Sequence, residues 1–324
     1  MIFDFPKPSV PPRCRPVSAA LTLAAAVLAA AAAGCTGGPG PAASGPLRVL
    51  ATTTIVADLA RQIGGDRVVV ECLMADGIDP HSYKPTPRDA DRLATADVVV
   101  SNGLHLEGRL AGILERLGSR RPVIAVADML PAADLLPAGG GRHDPHVWFD
   151  PGLWSRCGVA LADALAGIDA AGAEAYRRRA RDHADRLAAV DGRVRQRIAA
   201  IPASRRVLVT AHDAFRYFGR AYGIDVVGVQ GTSTESEAGL ADINRLVDLV
   251  VERRIPAVFI ETSVSDRSVT ALREGAAARG QDVRLGGTLL SDSLGGPGSG
   301  AETLEAALVA NAETIAAALA ETAP

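Results

Sequence analysis

Hydrophobic and polar positions follow a regular rhythm over most of this chain. From residue 47, short β-branched runs such as RVLATTT and DVVVSNG alternate with segments whose apolar residues recur three and four positions apart. This alternation of strands and helices favours parallel sheets with helices on their faces. The rhythm is interrupted after residue 129 and resumes after Pro202. We therefore predict two α/β lobes, at residues 47–168 and 203–324.

A helical region separates the two α/β patterns. The stretch at residues 151–168 predicts one helix, with Asp150 as its N-cap, and LPAADLLPAGGGRH before it is typical of a loop. Residues 169–202 then contain many arginines and acids but few apolar positions. A long polar helix of this kind suits a solvent-bridging spacer that links two lobes. His183 lies within it, and we expect this histidine to be solvated.

The N-terminal segment has the pattern of an export signal. A short basic region is followed by an apolar, Ala-rich run at residues 17–33, which is marginal in length for a membrane span. Small residues then precede Cys35, as in a bacterial lipobox, where the cysteine is lipidated; an ordinary signal peptide is the alternative. We predict a signal peptide at residues 1–34 and, at residues 35–46, a lipidated Cys35 with a flexible Gly/Pro/Ser/Ala tether.

Charge and cysteine content narrow the classes of function. The formal net charge is −3, and nothing in the sequence indicates a nucleic-acid surface. Of the four cysteines, Cys14 leaves with the predicted signal and Cys35 is the anchor candidate. Cys72 and Cys157 could form a disulfide in an exported protein or remain separate buried thiols. No Cys-x-x-Cys spacing occurs, which argues against a thiolate metal site.

Four polar residues lie where ligands gather in open parallel sheets, beyond the carboxyl ends of strands. His81 follows VVVECLM, His146 precedes the helix at residue 151, His212 follows VLVT, and Asp292 follows VRLGG. Two belong to each lobe, so a cleft between the lobes would bring them together. Three imidazoles and one carboxylate suit Zn²⁺ or Mn²⁺. Since no two are close in sequence, ordinary hydrogen-bonding roles are the alternative.

Neighbouring residues could support or extend such a site. Prolines on both sides of His81 restrict the backbone of its loop, which lowers the entropy lost when a ligand binds. Asp79 and Asp144 each stand two residues before a candidate histidine, where they could orient the imidazole or serve only as turn residues. His143 is a candidate extra ligand, whereas His105 fits a surface role better.

Several motifs together resemble one known family. DPHSYKPTPRDADRLATADVVVSNGLHLE, DPHVWFDP, TAHDAFRYFGRAYGI, GTSTESEAG, VFIETSV and GGTLLSDSLG are similar, in this order, to segments of the solute-binding proteins of bacterial zinc and manganese ABC importers. This is the TroA-like and ZnuA-like group, also called cluster A-I. The similarity runs from about residue 47 to the C-terminus.

The resemblance implies two α/β lobes joined by a long rigid helix, with a metal held in the cleft between them. His81 of D-P-H-x-Y, His146 of D-P-H-x-W, His212 after VLVTA and Asp292 of S-D-S-L-G would be the metal ligands. The protein would be a monomer without catalytic activity, anchored to the outer face of the cell membrane. It would deliver zinc or manganese to a membrane permease and its ATPase.

Some features leave the metal and the alternatives open. His212 matches a family position that is histidine in some members and glutamate in many manganese-specific ones. The His- and acid-rich loop of dedicated zinc members is absent here, and Leu304 and Ala307 replace an expected aromatic residue and methionine. A secreted metal-dependent hydrolase with the same ligands is the alternative function, although the chain has no His-Glu-x-x-His motif. A siderophore- or vitamin-binding protein would need a more aromatic or basic cleft.

Overall fold

The structure, a computed structural model, describes residues 45–320. The predicted signal peptide, Cys35 and all but the last two residues of the predicted tether lie outside this range. Within the described part of the chain, no helix has both the length and the apolar character needed to cross a bilayer.

Strands and helices alternate in the first lobe, as the hydrophobic pattern predicts. The elements are β1 (Leu47–Ala51), α1 (Thr54–Gly64), β2 (Val68–Cys72), α2 (Pro87–Thr95), β3 (Val98–Ser101), α3 (Ala111–Gly118) and β4 (Val123–Ala125). All four strands are parallel, in the order β2-β1-β3-β4. Every residue of β3 is buried, as expected for an inner strand covered by helices on both faces.

The connection between the lobes contains a hairpin and two helices. The segment predicted as a loop includes a short antiparallel pair, β5 (Pro137–Gly139) and β6 (Arg142–His143), which turns through consecutive glycines with positive φ angles. Helix α4 (Pro151–Ile168) begins where predicted, and the Asp150 carboxylate accepts hydrogen bonds from the backbone N–H groups of its first turn. Helix α5 (Ala173–Ala199) follows after a 3-10 turn.

The second lobe repeats the parallel arrangement of the first. Its elements are β7 (Val207–His212), α6 (Arg216–Tyr222), β8 (Asp225–Gln230), α7 (Leu240–Glu252), β9 (Ala257–Glu261), α8 (Arg267–Ala278), β10 (Arg284–Leu289) and α9 (Leu304–Ala320). Strands β7 and β8 form one parallel pair and β9 and β10 another, with β9 beside β7. The spatial order β8-β7-β9-β10 matches that of the first sheet, although the hydrogen-bonded ladders are those of the two pairs.

Helix α5 differs from the predicted solvent-bridging spacer because one of its faces is buried. This face packs against α1, α4, α6 and α9. His183 belongs to it and is fully buried, with its Nδ1 atom 3.4 Å from Glu305 Oε1 of α9, so the expectation that it is solvated was wrong. The buried positions recur every three or four residues, a helical stripe that the many arginines on the opposite face obscured. They are Tyr176, Ala180, His183, Leu187, Val190, Val194 and Ile198.

The two cysteines of the described chain remain separate thiols. Cys72 lies on β2, and its sulfur is 3.0 Å from the carbonyl oxygen of Met74. Cys157 is buried on α4. Of the two alternatives that the sequence left open, the structure shows unpaired thiols.

Truncation of the buried face of α5 tests its role in the fold. Leu187→Ala removes a fully buried side chain and should lower the free energy of unfolding by about 2–5 kcal/mol, measured by urea denaturation followed by circular dichroism. Arg193→Ala on the exposed face is the control and should change it by less than about 0.5 kcal/mol. Equal losses in the two variants would contradict a packed α5.

Candidate metal centre

The four candidate ligand residues, far apart in sequence, come together between the two lobes. One ligand atom from each of His81, His146, His212 and Asp292 lies within 4.8 Å of all the others. All four residues are buried, with no more than 2% of any of them exposed. The structure thus brings together the residues that the sequence singled out, and no other group of this kind occurs among the described residues.

Distances between the ligand atoms suit a single ion. His146 Nε2 lies 3.3 Å from His81 Nε2 and 3.3 Å from His212 Nε2. Asp292 Oδ2 lies 3.3 Å from His212 Nε2 and 3.8 Å from His81 Nε2, while Asp292 Oδ1 lies 3.4 Å from His146 Nε2. Metal–ligand bonds of about 2.0–2.2 Å place tetrahedral ligand atoms about 3.3–3.6 Å apart. The pocket therefore has the dimensions of a first coordination shell.

The carboxylate of Asp292 adds a chemical argument for a cation. Both of its oxygens are buried, and neither meets a donor in good hydrogen-bond geometry; the nearest groups are the Nε2 atoms of His146 and His212, at 3.4 and 3.3 Å. Buried polar atoms are normally paired, because an unpaired buried carboxylate loses its hydration without compensation. A divalent ion between the imidazoles and this carboxylate would supply the missing interaction.

The loop that carries His81 is fixed by local backbone geometry. It connects β2 to α2, and α2 begins at Pro87 with a capping box between Thr86 and Asp89. Gly108 of the following loop approaches the His81 carbonyl so closely that a Cβ atom would lie 2.2 Å from its oxygen. With its φ of 36°, this position requires glycine.

His146 is oriented by a carboxylate in its own segment. Asp144 Oδ1 lies 2.7 Å from His146 Nδ1 and also accepts a hydrogen bond of 3.0 Å from the His146 backbone N–H. The indole of Trp148 packs edge-on against the imidazole, and its N–H donates to the Ser291 carbonyl, 3.1 Å away, beside Asp292. Asp144 thus leaves Nε2 of His146 directed at the other ligands.

The two aspartates for which the sequence left two roles open behave differently. Asp144 contacts the imidazole ring of its histidine, whereas Asp79 accepts a hydrogen bond of 2.9 Å from the backbone N–H of His81. Asp79 therefore has the turn role, and only Asp144 orients a ring.

Glu261 is a functional residue that the sequence reasoning missed. It ends β9 and is buried beside His212, the last residue of β7. Its Oε1 atom accepts a hydrogen bond of 2.8 Å from the His212 backbone N–H, and its Oε2 atom lies 2.6 Å from His212 Nδ1. The sequence did offer a signal for it: Glu261 is an acidic residue at the carboxyl end of the apolar strand in VFIETSV, where ligand-binding side chains gather.

The remaining candidate histidines lie outside the four-residue group. His105 and His143 line an open cavity of about 220 Å³ that reaches His81. His105 is exposed, in agreement with its predicted surface role, and has a left-handed backbone conformation with a φ of 63°.

Burial and charge have opposing effects on the three imidazoles. Burial lowers the pKa of His81 to about 4, although Asp292 opposes the shift. Burial also disfavours the charged form of His146, but the carboxylates of Asp144 and Asp292 outweigh it and raise the pKa to about 9. For His212, Glu261 and Asp292 outweigh burial and hold the pKa well above its usual value. With no metal bound, the neighbouring carboxylates therefore favour the protonated forms of His146 and His212, whereas burial favours the neutral form of His81.

Two parallel-sheet α/β lobes that enclose a buried cluster of metal-ligand side chains define a metal-specific solute-binding protein. The sequence model of the family described as zinc-uptake complex component A, periplasmic, matches residues 49–318, and the chain belongs to this family. The resemblance inferred from the motifs is thereby confirmed.

Individual relatives support the same assignment. The chain is 44% identical to the manganese-binding lipoprotein MntA of Bacillus subtilis (strain 168), over 92% of this chain and 98% of that protein. It is 40% identical to the zinc-binding protein TroA of Treponema pallidum (strain Nichols), over 86% and 91% of the two chains. The solved structure of periplasmic TroA superposes with a TM-score of 0.83 at 39% identity, covering 86% of this chain and all of that one.

The pairing of Asp144 with His146 predicts a measurable shift. Asp144→Asn removes the charge that stabilises the imidazolium, so the pKa of His146 in the metal-free protein should fall below about 9. A ¹H–¹⁵N NMR titration of the imidazole nitrogens measures it. Asp79→Asn is the control and should leave His146 unchanged, because the Asp79 carboxylate contacts the His81 backbone, Ser82 and Thr234 but not His146. A pKa that stays near 9 in Asp144→Asn would show that this carboxylate does not control the ring.

Proposed function

We propose that His81, His146, His212 and Asp292 bind one Zn²⁺ or Mn²⁺ ion, which this chain carries outside the cytoplasm to the permease and ATPase of an ABC importer. The observation that supports this assignment most directly is the convergence of three Nε2 atoms and an unpaired carboxylate at coordination distances. Membership of the zinc-uptake family supports the transport role.

Binding without catalysis follows from the composition of the pocket. Catalytic zinc sites keep one coordination position open for water, whereas closed sites use four protein ligands. Here four buried protein side chains converge, enough to occupy all four positions of a tetrahedral shell. The hydrolase alternative needs an activated water in that shell and is therefore disfavoured.

Both zinc and manganese fit the donor set. Nitrogen and oxygen ligands suit either ion, and a bidentate Asp292 would provide the higher coordination number that Mn²⁺ accepts. The two relatives described above are named for different metals, manganese for MntA and zinc for TroA. According to the Irving–Williams order, such a site binds zinc more tightly than manganese, whichever ion the protein carries.

The mode of attachment belongs to the same proposal. Cys35 would be lipidated and anchor the chain to the outer face of the cell membrane through the tether that ends at residue 46. The relative MntA of Bacillus subtilis is named a lipoprotein, which supports this assignment. The chain would act as a monomer, because both lobes that supply ligands belong to one polypeptide.

Removal of single ligands tests the proposed site. His146→Ala or Asp292→Ala should raise the Kd for both Zn²⁺ and Mn²⁺ by more than about 100-fold, because loss of even an outer partner of a ligand costs about 10–100-fold. Chelator competition measures the affinity, and elemental analysis after refilling gives the stoichiometry. His143→Ala is the matched control and should leave both unchanged. Full affinity in either ligand variant would refute the site.

Metal binding should release protons because only neutral imidazoles bind metal. His146, with a pKa of about 9, must lose a proton near pH 7, and the raised pKa of His212 favours release of a second one, whereas His81, with a pKa of about 4, is already neutral. The affinity should therefore increase between pH 7 and pH 9. Calorimetry in buffers of different ionisation enthalpy should report about two protons released per ion. Binding enthalpies that do not depend on the buffer would contradict this.

A further inference from the structure

The loop that carries His81 is attached to the second lobe at two points. The backbone N–H of Gly77 donates a hydrogen bond of 2.8 Å to Ser293 Oγ, next to Asp292. Two residues further along the loop, Asp79 Oδ2 accepts a hydrogen bond of 2.5 Å from the hydroxyl of Thr234. The first lobe's loop is thus held from across the cleft as well as from its own side.

Asp79 connects the second of these contacts directly to the metal ligand. Its Oδ1 atom accepts the 2.9 Å bond from the His81 backbone N–H, and its Oδ2 atom accepts a 2.8 Å bond from the hydroxyl of Ser82. A single carboxylate therefore joins the peptide of His81 to Thr234. Hydrogen bonds to a charged acceptor are roughly twice as strong as those between neutral groups, so this connection is the firmer of the two ties.

The position of His81 makes this connection important for exchange of the ion. His81 lines the open cavity of about 220 Å³, whereas none of the other three ligand residues does. Thr232, Ser233 and Glu235, from the segment that contains Thr234, form part of the same wall. Solvent therefore approaches the centre from the side of His81, and Thr234 sits beside that approach.

We infer that Thr234 is a positioning residue that controls how long the metal stays bound, because its hydroxyl holds Asp79 and thereby His81 in place. This inference rests on the proposed metal site. Separation of the lobes would break the bond between Thr234 and Asp79 and free the His81 loop from the second lobe. Loss of the hydroxyl should break this attachment alone, without lobe separation and with the bond between Gly77 and Ser293 kept, so that His81 is held less firmly and the ion leaves faster.

The test compares metal dissociation from three variants of the protein. Zn²⁺-loaded protein is mixed with excess chromophoric chelator in a stopped-flow instrument. Thr234→Val, which keeps the shape but removes the hydroxyl, should raise the dissociation rate about tenfold, which corresponds to about 1.4 kcal/mol. Thr234→Ser, which keeps the hydroxyl, should restore the wild-type rate. Thr232→Val, in the same cavity wall, should match the wild type.

Thermal unfolding of the metal-free variants separates positioning from a general loss of stability. The metal-free Thr234→Val protein should melt at the wild-type temperature although it loses zinc faster. A wild-type dissociation rate in Thr234→Val, or an equally fast rate in Thr234→Ser, would overturn the inference while the metal site stands. Wild-type zinc affinity in His81→Ala would instead overturn the proposed site itself.

Discussion

Compensation of buried charge is the constraint on which this structure depends. Asp292 is buried without a hydrogen-bond partner for either oxygen, and Asp144 and Glu261 are buried behind two of the imidazoles. Such carboxylates are costly away from water unless opposite charge lies close by. The raised pKa values of His146 and His212 favour the protonated imidazoles that supply that charge when no metal is present. In the proposed function, a divalent cation would supply it by replacing those protons.

Such an exchange of protons for metal would require both lobes to meet at the same point. The first lobe carries His81 on the loop after β2, and His146 lies in the segment that leads into α4. The second lobe supplies His212 at the end of β7 and Asp292 beyond β10. Hydrogen bonds across the cleft, such as that between Gly77 and Ser293, fix the positions of the candidate ligands of one lobe relative to those of the other. The packed face of α5 connects the elements behind them, since it contacts α1 and α4 as well as α6 and α9 of the second lobe.

Much of this arrangement could be predicted because it depends on local patterns. The predicted alternation of strands and helices appears in both lobes, since period-2 and period-3.6 hydrophobic patterns report directly on which side of an element is buried. The N-cap at Asp150 was predictable for the same local reason. The prediction that the spacer helix is surrounded by solvent was wrong. Its hydrophobic stripe was hard to recognise, because the seven buried positions of α5 are separated by arginines that face water.

By itself, the sequence determined the element order, the parallel α/β class and the residue types that could bind a metal, because these depend on neighbouring residues. Only the tertiary structure decided that Asp144 orients an imidazole while Asp79 does not, that Glu261 supports His212, and that His183 is buried. These outcomes depend on contacts between segments tens of residues apart or on side-chain directions within a loop. Local hydrophobic patterns carry no information about either, since chain topology sets which strand ends meet.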